Sequence, residues 1–281
     1  MKVLITGAAG QLGSDLTLLL QREPERYQVF PLTHSELDIT KQEQVEKTLQ
    51  AIRPDIVIHS AAYTNVDRAE IEPDRAYEVN AIATCHLAIA VERIQSKLLY
   101  LSTDYVFDGK KNTPYHELDA PNPLNIYGQS KLAGEKFVQS ISTRYFIVRT
   151  SWLYGEHGPN FVKTMLTLIK ERQELVVVND QIGSPTYTVD LARFLQILME
   201  TDNYGIFHAT NSGQCSWYKF AKAIFEGSGV NISINPCKTT EFPRPAPRPA
   251  FSVLEHRAIR LHALPDLRPW REALKDYLHQ G

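Results

Sequence analysis

Short apolar runs alternate with helix-like segments through the first half of the chain. The runs predict strands over residues 1–6, 27–32, 55–61, 97–102 and 145–150. After the first run, Leu12, Leu16 and Leu19 recur at helical spacing. Further helices are predicted over residues 40–52, 73–91 and 124–141. This alternation is typical of an α/β fold with a mainly parallel sheet and helices on both faces.

The second half of the chain is less regular. It predicts a strand over residues 175–178 and helices over residues 189–199 and 217–225. The proline-rich run 243–249 suits neither a helix interior nor a central strand, so we expect an extended surface or lid segment. We place a domain change just after Gly155, which separates residues 1–155 from a smaller domain of residues 156–281. The chain is free to cross back between them.

The first strand runs directly into a glycine-rich turn. Gly7, Gly10 and Gly13 stand between that strand and the first predicted helix. In this context the glycines permit a tight turn, close approach to a pyrophosphate, and close packing of helix on strand. The helix N-terminus then offers free N–H groups to phosphates. We therefore predict that residues 1–155 form a Rossmann-type, doubly wound dinucleotide-binding domain.

The end of the second predicted strand selects the cofactor ribose in folds of this kind. An acid there favours NAD, and a basic residue accommodates the 2′-phosphate of NADP. Here neither an acid nor an arginine stands directly at the strand end. His34 and Ser35 suit phosphate ligands and plain turn residues equally well. The residues therefore leave NADH and NADPH both open.

Tyr127 and Lys131 form a Y-x-x-x-K pair on one face of a predicted helix. Reduction of a ketone needs a hydride on carbon and a proton on oxygen. Tyrosine can donate the proton, and a nearby ammonium lowers the phenol pKa. Thr103, at the end of the fourth predicted strand, can donate a hydrogen bond to the carbonyl oxygen. These three residues are the predicted catalytic group.

Composition narrows the possible partners and compartment. The net charge of −2 offers no electrostatic case for nucleic acid or an anionic membrane as a partner. The first apolar run is too short for a signal peptide, and nothing approaches the roughly 18 apolar residues of a membrane helix. The three scattered cysteines, Cys85, Cys215 and Cys237, form no disulfide framework. We expect a cytoplasmic protein.

Longer motifs resemble one family in chain order. They read GAAGQLG, LDIT, HSAAYTNVD, LSTDYVFDG, PLNIYGQSK, RTSWLYG, DQIGSPTY and RPAPRPAFSVL. Together they resemble the dTDP-4-dehydrorhamnose reductases, which are extended short-chain dehydrogenases/reductases. The resemblance implies reduction of the 4-keto group of dTDP-4-dehydro-L-rhamnose to dTDP-L-rhamnose, in the synthesis of cell-surface polysaccharide.

The resemblance also implies roles for individual residues. Those expected to bind the cofactor are Gly7, Gly10, Gln11, Leu12, Gly13, Asp38, Ile39, Ala61, Ala62, Tyr63, Thr64, Leu101, Tyr127 and Lys131. Those expected to bind the sugar nucleotide are Thr103, Asp104, Trp152, Arg244 and Arg248. For the two arginines the physical reason is that guanidinium groups match the geometry of a diphosphate.

A metal site is not assigned. Some family members form metal-linked dimers through acidic residues, and Asp15 and Asp190 stand near the corresponding places. Both are aspartates where the family pattern has glutamates, and the shorter side chain changes the reach. Mg²⁺ therefore stays without assigned ligands, and a monomer and a homodimer both remain open.

Four other functions are possible on this fold. A nucleotide-sugar dehydratase would carry Thr-Asp-Glu after the fourth strand, whereas this chain has Thr103, Asp104 and Tyr105. An epimerase would recycle its cofactor, and a sister reductase would act on another 6-deoxy-4-keto sugar. A non-catalytic regulator, like the regulatory subunit of methionine adenosyltransferase, would have no need of Thr103, Tyr127 and Lys131 together.

Overall fold

Strands and helices alternate along the chain much as the apolar pattern predicts. The computed structural model describes residues 1–280, and Gly281, the last residue of the predicted second domain, lies outside the described part. The strands are β1 (Lys2–Thr6), β2 (Gln28–Leu32), β3 (Ile56–His59), β4 (Lys97–Thr103), β5 (Tyr145–Thr150), β6 (Leu153–Tyr154), β7 (Glu174–Val178), β8 (Ile182–Gly183), β9 (Thr186–Tyr187), β10 (Gly205–His208), β11 (Cys215–Ser216) and β12 (Ser233–Cys237). The helices are α1 (Gln11–Gln21), α2 (Gln42–Ile52), α3 (Val66–Ile71), α4 (Pro73–Tyr77), α5 (Ala83–Arg93), α6 (Ile126–Ile141), α7 (Phe161–Leu168), α8 (Thr188–Met199), α9 (Trp217–Gly227), α10 (Arg257–Leu261) and α11 (Trp270–Gln280).

The largest sheet has six strands in the order β10-β5-β4-β3-β1-β2. Every neighbouring pair in it is parallel. Successive residues of a strand point to opposite faces. Val3 and Ile5 of β1 accordingly pack with the leucines of α1 and with α8, whereas Leu4 packs with α2 and α5. Both faces are therefore covered by helices, which confirms the predicted Rossmann-type, doubly wound fold.

A second core lies under the C-terminal half of the chain. It joins α7, α9 and α11 to the parallel pair β7–β12, with Phe220 and Tyr154 among its fully buried side chains. Between these elements the chain returns to the large sheet. Strand β10 pairs with β5, and α8 packs against α1. The domain boundary at Gly155 stays a prediction. Helix α8 and strand β10 follow Gly155 in the chain but pack with the large sheet.

Local structure departs from the predicted elements in one long helix and in several short elements. The predicted helix over residues 73–91 is divided into α4, a π-helical segment (Glu78–Ile82) and α5. The elements that were not predicted are helices α3, α7 and α10 and strands β6, β8, β9, β10, β11 and β12. They are short, and a short apolar run carries too few repeats to show a period. The proline-rich run 243–249 contains neither helix nor strand, as expected.

Candidate active site

A cavity of about 600 Å³ opens at the carboxyl edge of the large sheet. Its wall follows the ends of β1, β3, β4 and β5, where ligands bind in open α/β sheets. All fourteen residues expected to bind the cofactor line it: Gly7, Gly10, Gln11, Leu12, Gly13, Asp38, Ile39, Ala61, Ala62, Tyr63, Thr64, Leu101, Tyr127 and Lys131. The tertiary structure thus brings together residues that are spread over more than a hundred positions.

The glycine turn forms one end of this cavity. Gly7 has a left-handed backbone (φ +68°), and a Cβ there would lie 2.7 Å from the Cα of Ala61. A Cβ on Gly13 would collide with the backbone of Gly7 and Ala8. Only glycine fits either position, which is the reason for the spacing noted in the sequence.

The cavity wall offers unpartnered polar groups to a ligand. Gly10 caps α1 without a side-chain hydrogen bond, so the first N–H groups of the helix point into the turn. Gln11 Oε1 and Thr150 Oγ1 are buried and have no hydrogen-bond partner within the described residues. Free donors at a helix N-terminus and orphaned oxygens nearby fit a dinucleotide with its pyrophosphate at the turn.

The end of β2 contributes His34 and Asp38 to the cavity wall. Ser35 instead places its hydroxyl 2.9 Å from Thr33 Oγ1. Asp38 accepts hydrogen bonds from the backbone and hydroxyl of Thr40. Of the two residues considered for a ribose phosphate, His34 is therefore the one that faces the cavity.

Tyr127 lies in the first turn of α6, with its ring edge-on to Tyr105 at 5.9 Å between centroids. Burial raises the pKa of Tyr127 to about 12; the Thr103 hydroxyl lowers it and Asp104 raises it. The phenol is therefore protonated at neutral pH and ready to donate. Thr103 Oγ1 donates to Asp104 Oδ1 at 3.1 Å and accepts from Tyr105 N–H at 3.2 Å.

Asp104 is buried beside this hydroxyl. Burial raises the pKa of its carboxyl to about 7, although hydrogen bonds from Ser252 and Thr103 oppose the shift. A carboxyl that is half protonated near neutral pH can accept or donate a hydrogen bond. The hydrogen-bonding character of Thr103 toward a ligand therefore depends on the protonation of Asp104.

Lys131 lies one turn further along α6 and is buried. Its Nζ donates to Leu101 O at 2.6 Å and sits 4.1 Å from the centre of the Tyr100 ring. Burial lowers the pKa of Lys131 to about 7, against the opposing effect of Glu135. The sequence analysis expects Lys131 to lower the pKa of Tyr127, but in the structure the pKa of Tyr127 is raised. Burial dominates at Tyr127, and the Lys131 ammonium is directed at a backbone carbonyl.

The five residues expected to bind the sugar nucleotide are not among those that line this cavity. Trp152 adopts a left-handed backbone (φ +49°) and stacks on Trp217 with ring centroids 3.5 Å apart. Gly183 also lies against the indole, where an added Cβ would meet it at 2.5 Å. Gly183 belongs to the DQIGSPT motif, so the packing of Trp152 gives that motif a physical reason.

The two arginines of the proline-rich run converge on Asp67 of α3. Arg248 Nη1 donates to Asp67 Oδ1 at 2.5 Å, and Arg244 Nη1 lies 3.8 Å from Asp67 Oδ2. The hydrogen bond from Arg248 is the largest cause of the lowered pKa of Asp67. Arg248 also contacts the Tyr105 hydroxyl. The arginines thus bring the run to Tyr105, whose ring packs against Tyr127.

Comparison with known proteins decides the family. The family model described as the RmlD substrate binding domain matches residues 1–281. The dTDP-4-dehydrorhamnose reductase of Aggregatibacter actinomycetemcomitans is 44% identical over 98% of this chain and 97% of its own length. The chain belongs to the dTDP-4-dehydrorhamnose reductase family. This confirms the resemblance carried by the motifs.

Two further relatives agree over nearly the whole chain. The spore coat polysaccharide biosynthesis protein SpsK of Bacillus subtilis (strain 168) is 47% identical over 99% of this chain and 97% of its own length. The crystal structure of dTDP-4-dehydrorhamnose reductase from Bacillus anthracis strain Ames, in complex with NADP, superposes with a TM-score of 0.96 at 48% identity. It covers 100% of this chain and 99% of that one.

In this member of the reductase family, Asp15 and Asp190 are engaged separately. Asp15 accepts a hydrogen bond from the Thr188 hydroxyl, and Asp190 accepts from Asn211 and Arg268 at 2.8 Å each. Within residues 1–280, no group of three or more His, Cys, Asp or Glu side chains has the arrangement of a metal site. Over the same residues, none of the helices has both the length and the apolarity to cross a membrane.

Asn80 is a site residue of this reductase fold that the sequence analysis missed. It lies in the π-helical segment, where Oδ1 accepts from Tyr63 N–H at 2.8 Å and Nδ2 donates to Tyr63 O at 3.0 Å. Nδ2 also lies 3.0 Å from Ser130 Oγ on α6. Asn80 therefore joins the cofactor-cavity wall to the helix of Tyr127 and Lys131. The sequence signal for Asn80 was a polar residue among the apolar positions of the predicted helix 73–91.

Proposed function

We propose that this protein reduces the 4-keto group of dTDP-4-dehydro-L-rhamnose to give dTDP-L-rhamnose, with NADPH or NADH as the reductant. The observation that carries the proposal is the placement of a protonated Tyr127 and of Thr103 at the sheet edge, beside a cavity that fits a dinucleotide. Membership of the reductase family supports the choice of substrate.

The cofactor, when bound, supplies a hydride to the carbonyl carbon. Its binding residues are proposed to be the fourteen residues of the cavity wall named above. Tyr127 donates its phenolic proton to the C4 oxygen, and its raised pKa keeps the proton in place until negative charge develops on that oxygen. The Thr103 hydroxyl holds the same oxygen by a hydrogen bond. Lys131 is proposed to hold the nicotinamide ribose through its ammonium group.

The sugar nucleotide is proposed to lie between Thr103, Asp104 and Trp152 on one side and the proline-rich run on the other. Arg244 and Arg248 are proposed to bind the diphosphate, since two guanidinium groups already converge on the single carboxylate of Asp67. A diphosphate carries more negative charge than Asp67 and would compete for them. Proline in the run lowers the entropy lost when the segment is ordered.

Tyr105 argues against a dehydratase. Burial raises its pKa above the ordinary tyrosine value, with Asp104 adding to the rise. A phenol that stays protonated at neutral pH cannot replace the carboxylate base that elimination requires. A tyrosine at position 105 is therefore compatible with a reductase and incompatible with a dehydratase.

The site of action proposed is the cytoplasm, with the protein as a monomer or a homodimer. A coupled assay tests the activity. dTDP-4-dehydro-L-rhamnose is generated enzymatically, the protein is added, and the loss of NADPH or NADH absorbance is followed separately. We expect net consumption of one reduced cofactor for each dTDP-L-rhamnose formed. An epimerase would show no net consumption, and absence of turnover with both cofactors would contradict the proposal.

A further inference from the structure

A buried ion pair lies directly behind Lys131. Glu135 follows Lys131 by one turn on α6 and is fully buried, as is Arg149 of β5. Arg149 Nε donates to Glu135 Oε1 at 2.9 Å, and Arg149 Nη2 donates to Oε2 at 2.7 Å. This two-point geometry is the strongest form of an arginine–carboxylate contact. Breaking such a pair in the interior would leave an uncompensated charge.

The pair is tied to the sheet on both sides. Ser102 of β4 and His208 of β10 flank Arg149 in register across three neighbouring strands. Ser102 Oγ donates to Glu135 Oε1 at 2.5 Å. His208 Nδ1 lies 2.9 Å from Tyr115 O, which can only accept, so Nδ1 carries the proton and Nε2 accepts from Arg149 Nη1 at 3.3 Å. His208 is therefore neutral, and burial lowers its pKa well below the ordinary value.

Ser102 connects this pair to the cofactor cavity. It lines the cavity wall and precedes Thr103 in the same strand. Because its hydroxyl proton is committed to Glu135, Ser102 presents only acceptor capacity to a ligand. The strand end that holds Thr103 is thus fixed through the same carboxylate that faces Lys131.

Few groups near Lys131 can support its charge. Within the described residues, the titratable side chains beside it are His59 and Tyr100 from the sheet, with Tyr127 one turn before it and Glu135 one turn after it on α6. Burial lowers the pKa of His59 to about 3, so that ring is neutral. Tyr100 and Tyr127 keep their protons because burial raises both pKa values. Glu135 is the carboxylate that remains, and its charge favours the ammonium form of Lys131. Arg149 shares that charge through the ion pair.

We propose that the Glu135–Arg149 ion pair is a positioning unit that sets the charge of Lys131. Glu135 favours the ammonium form, and Arg149 limits how strongly it does so. The inference rests on the proposed function, because it is the bound cofactor that needs Lys131 as an ammonium. Neither Glu135 nor Arg149 touches the reacting atoms; both act through Lys131.

The charges of Glu135 and Arg149 should shift the pKa of Lys131 in opposite directions, and this difference can be tested. Glu135→Gln removes the negative charge and keeps the side-chain shape, so Lys131 should lose its proton at lower pH. Arg149→Gln leaves Glu135 uncompensated, so Lys131 should lose its proton at higher pH. NADPH binding is titrated by fluorescence from pH 5.5 to 9.5, and the pH at which affinity falls is compared with that of the wild type.

We expect the midpoint to move by at least about half a pH unit in opposite directions. Shifts in one direction for both variants, or no shift, would overturn the inference, since loss of packing alone lowers affinity without moving midpoints oppositely. Glu46→Gln is the matched control, because Glu46 pairs with Arg93 on the surface at 3.0 Å. Its midpoint should equal that of the wild type.

Two conservative variants keep the test possible if a glutamine variant does not fold. Glu135→Asp keeps the charge but withdraws it, and Arg149→Lys keeps the charge but loses the two-point contact. Each should shift the midpoint in the direction of its glutamine counterpart by a smaller amount. The titration uses no sugar substrate. A wild type that binds NADPH but fails to reduce the sugar would therefore refute the proposed function, while the midpoints still decide this inference.

Discussion

Tyr127 and Lys131 lie one turn apart on α6, and burial moves their pKa values in opposite directions. Burial disfavours the charged form of each group, so it raises the pKa of the phenol and lowers the pKa of the ammonium. A tyrosine that holds its proton at neutral pH suits reduction, where the proton must arrive with the hydride. We therefore propose separate tasks for the two residues, in which Lys131 acts through the cofactor rather than by activating the phenol.

The prediction at this scale concerns Tyr127→Phe. Loss of the phenolic proton should lower kcat by about 10²–10⁴-fold, the usual contribution of a general acid, while NADPH binding changes little. Steady-state kinetics and fluorescence titration of NADPH measure the two effects. Tyr218→Phe, a tyrosine of α9 in the second core, is the control and should keep its activity. A near-normal rate for Tyr127→Phe would remove Tyr127 from its proposed role.

Among the elements, the N-terminus of α6 is tied to two others. Asn125 Oδ1 caps the helix by accepting from Gly128 N–H at 2.8 Å, and its Nδ2 donates to Pro247 O at 2.8 Å. Glu70 of α3 accepts from Ile126 N–H at 2.7 Å. The same α3 holds Arg248 through Asp67. The proline-rich run is therefore anchored two residues before Tyr127.

The prediction at this scale separates the two bonds of Asn125. Asn125→Ala loses the cap and should lower the free energy of unfolding by about 1 kcal/mol. Asn125→Ser keeps an uncharged capping oxygen but is too short to reach Pro247 O, so its stability should stay nearer that of the wild type while KM for the sugar nucleotide rises several-fold. Chemical denaturation and steady-state kinetics measure these effects. Equal KM values for Asn125→Ser and wild type would show that the anchor does not affect substrate binding.

At the scale of the whole molecule, folding buries a lysine that the unfolded chain leaves in water. Lys131 titrates near pH 7 in the folded protein and near 10.5 when unperturbed. Between these values the unfolded chain binds more protons than the folded one, so stability rises with pH. The stability that this titration contributes is fully present above the pKa of Lys131 in the unfolded chain. It is lost as the pH falls through the pKa of Lys131 in the folded protein.

Lys131→Met removes this dependence. Relative to that variant, the wild type should gain about 2–3 kcal/mol in free energy of unfolding between pH 7 and pH 9. Urea denaturation of the cofactor-free proteins at several pH values measures the difference, in which titrations common to both proteins cancel. Lys136→Met, exposed on the same helix, is the control and should follow the wild type. A flat difference for Lys131→Met would show that Lys131 remains charged over this range.

Much of the cofactor site follows from local sequence. The glycine turn, the strand before it and the helix after it are adjacent in the chain, so their geometry is readable from spacing. Tyr127 and Lys131 share a face because a helix repeats every 3.6 residues. The parallel order of strands follows from the same alternation, since each pair needs a crossover helix.

Other features depend on contacts between distant residues. Glu135 and Arg149, Asn80 and Tyr63, and Asp67 and Arg248 meet only after the sheet and helices have packed. Strand β10 joins the large sheet after a long excursion through the second core, a pairing that no local pattern contains. Burial also follows from packing, and burial determines the protonation of Tyr127, Lys131 and Asp104.

The sequence by itself therefore determined the fold class, the glycine turn and the shared helix face of Tyr127 and Lys131, because each is encoded by residues within a few turns of one another. The tertiary structure alone decided which charges oppose one another around Lys131, and which residues anchor the proline-rich run. Electrostatic energy in the interior depends on distance and burial. Neither quantity exists until the chain has folded.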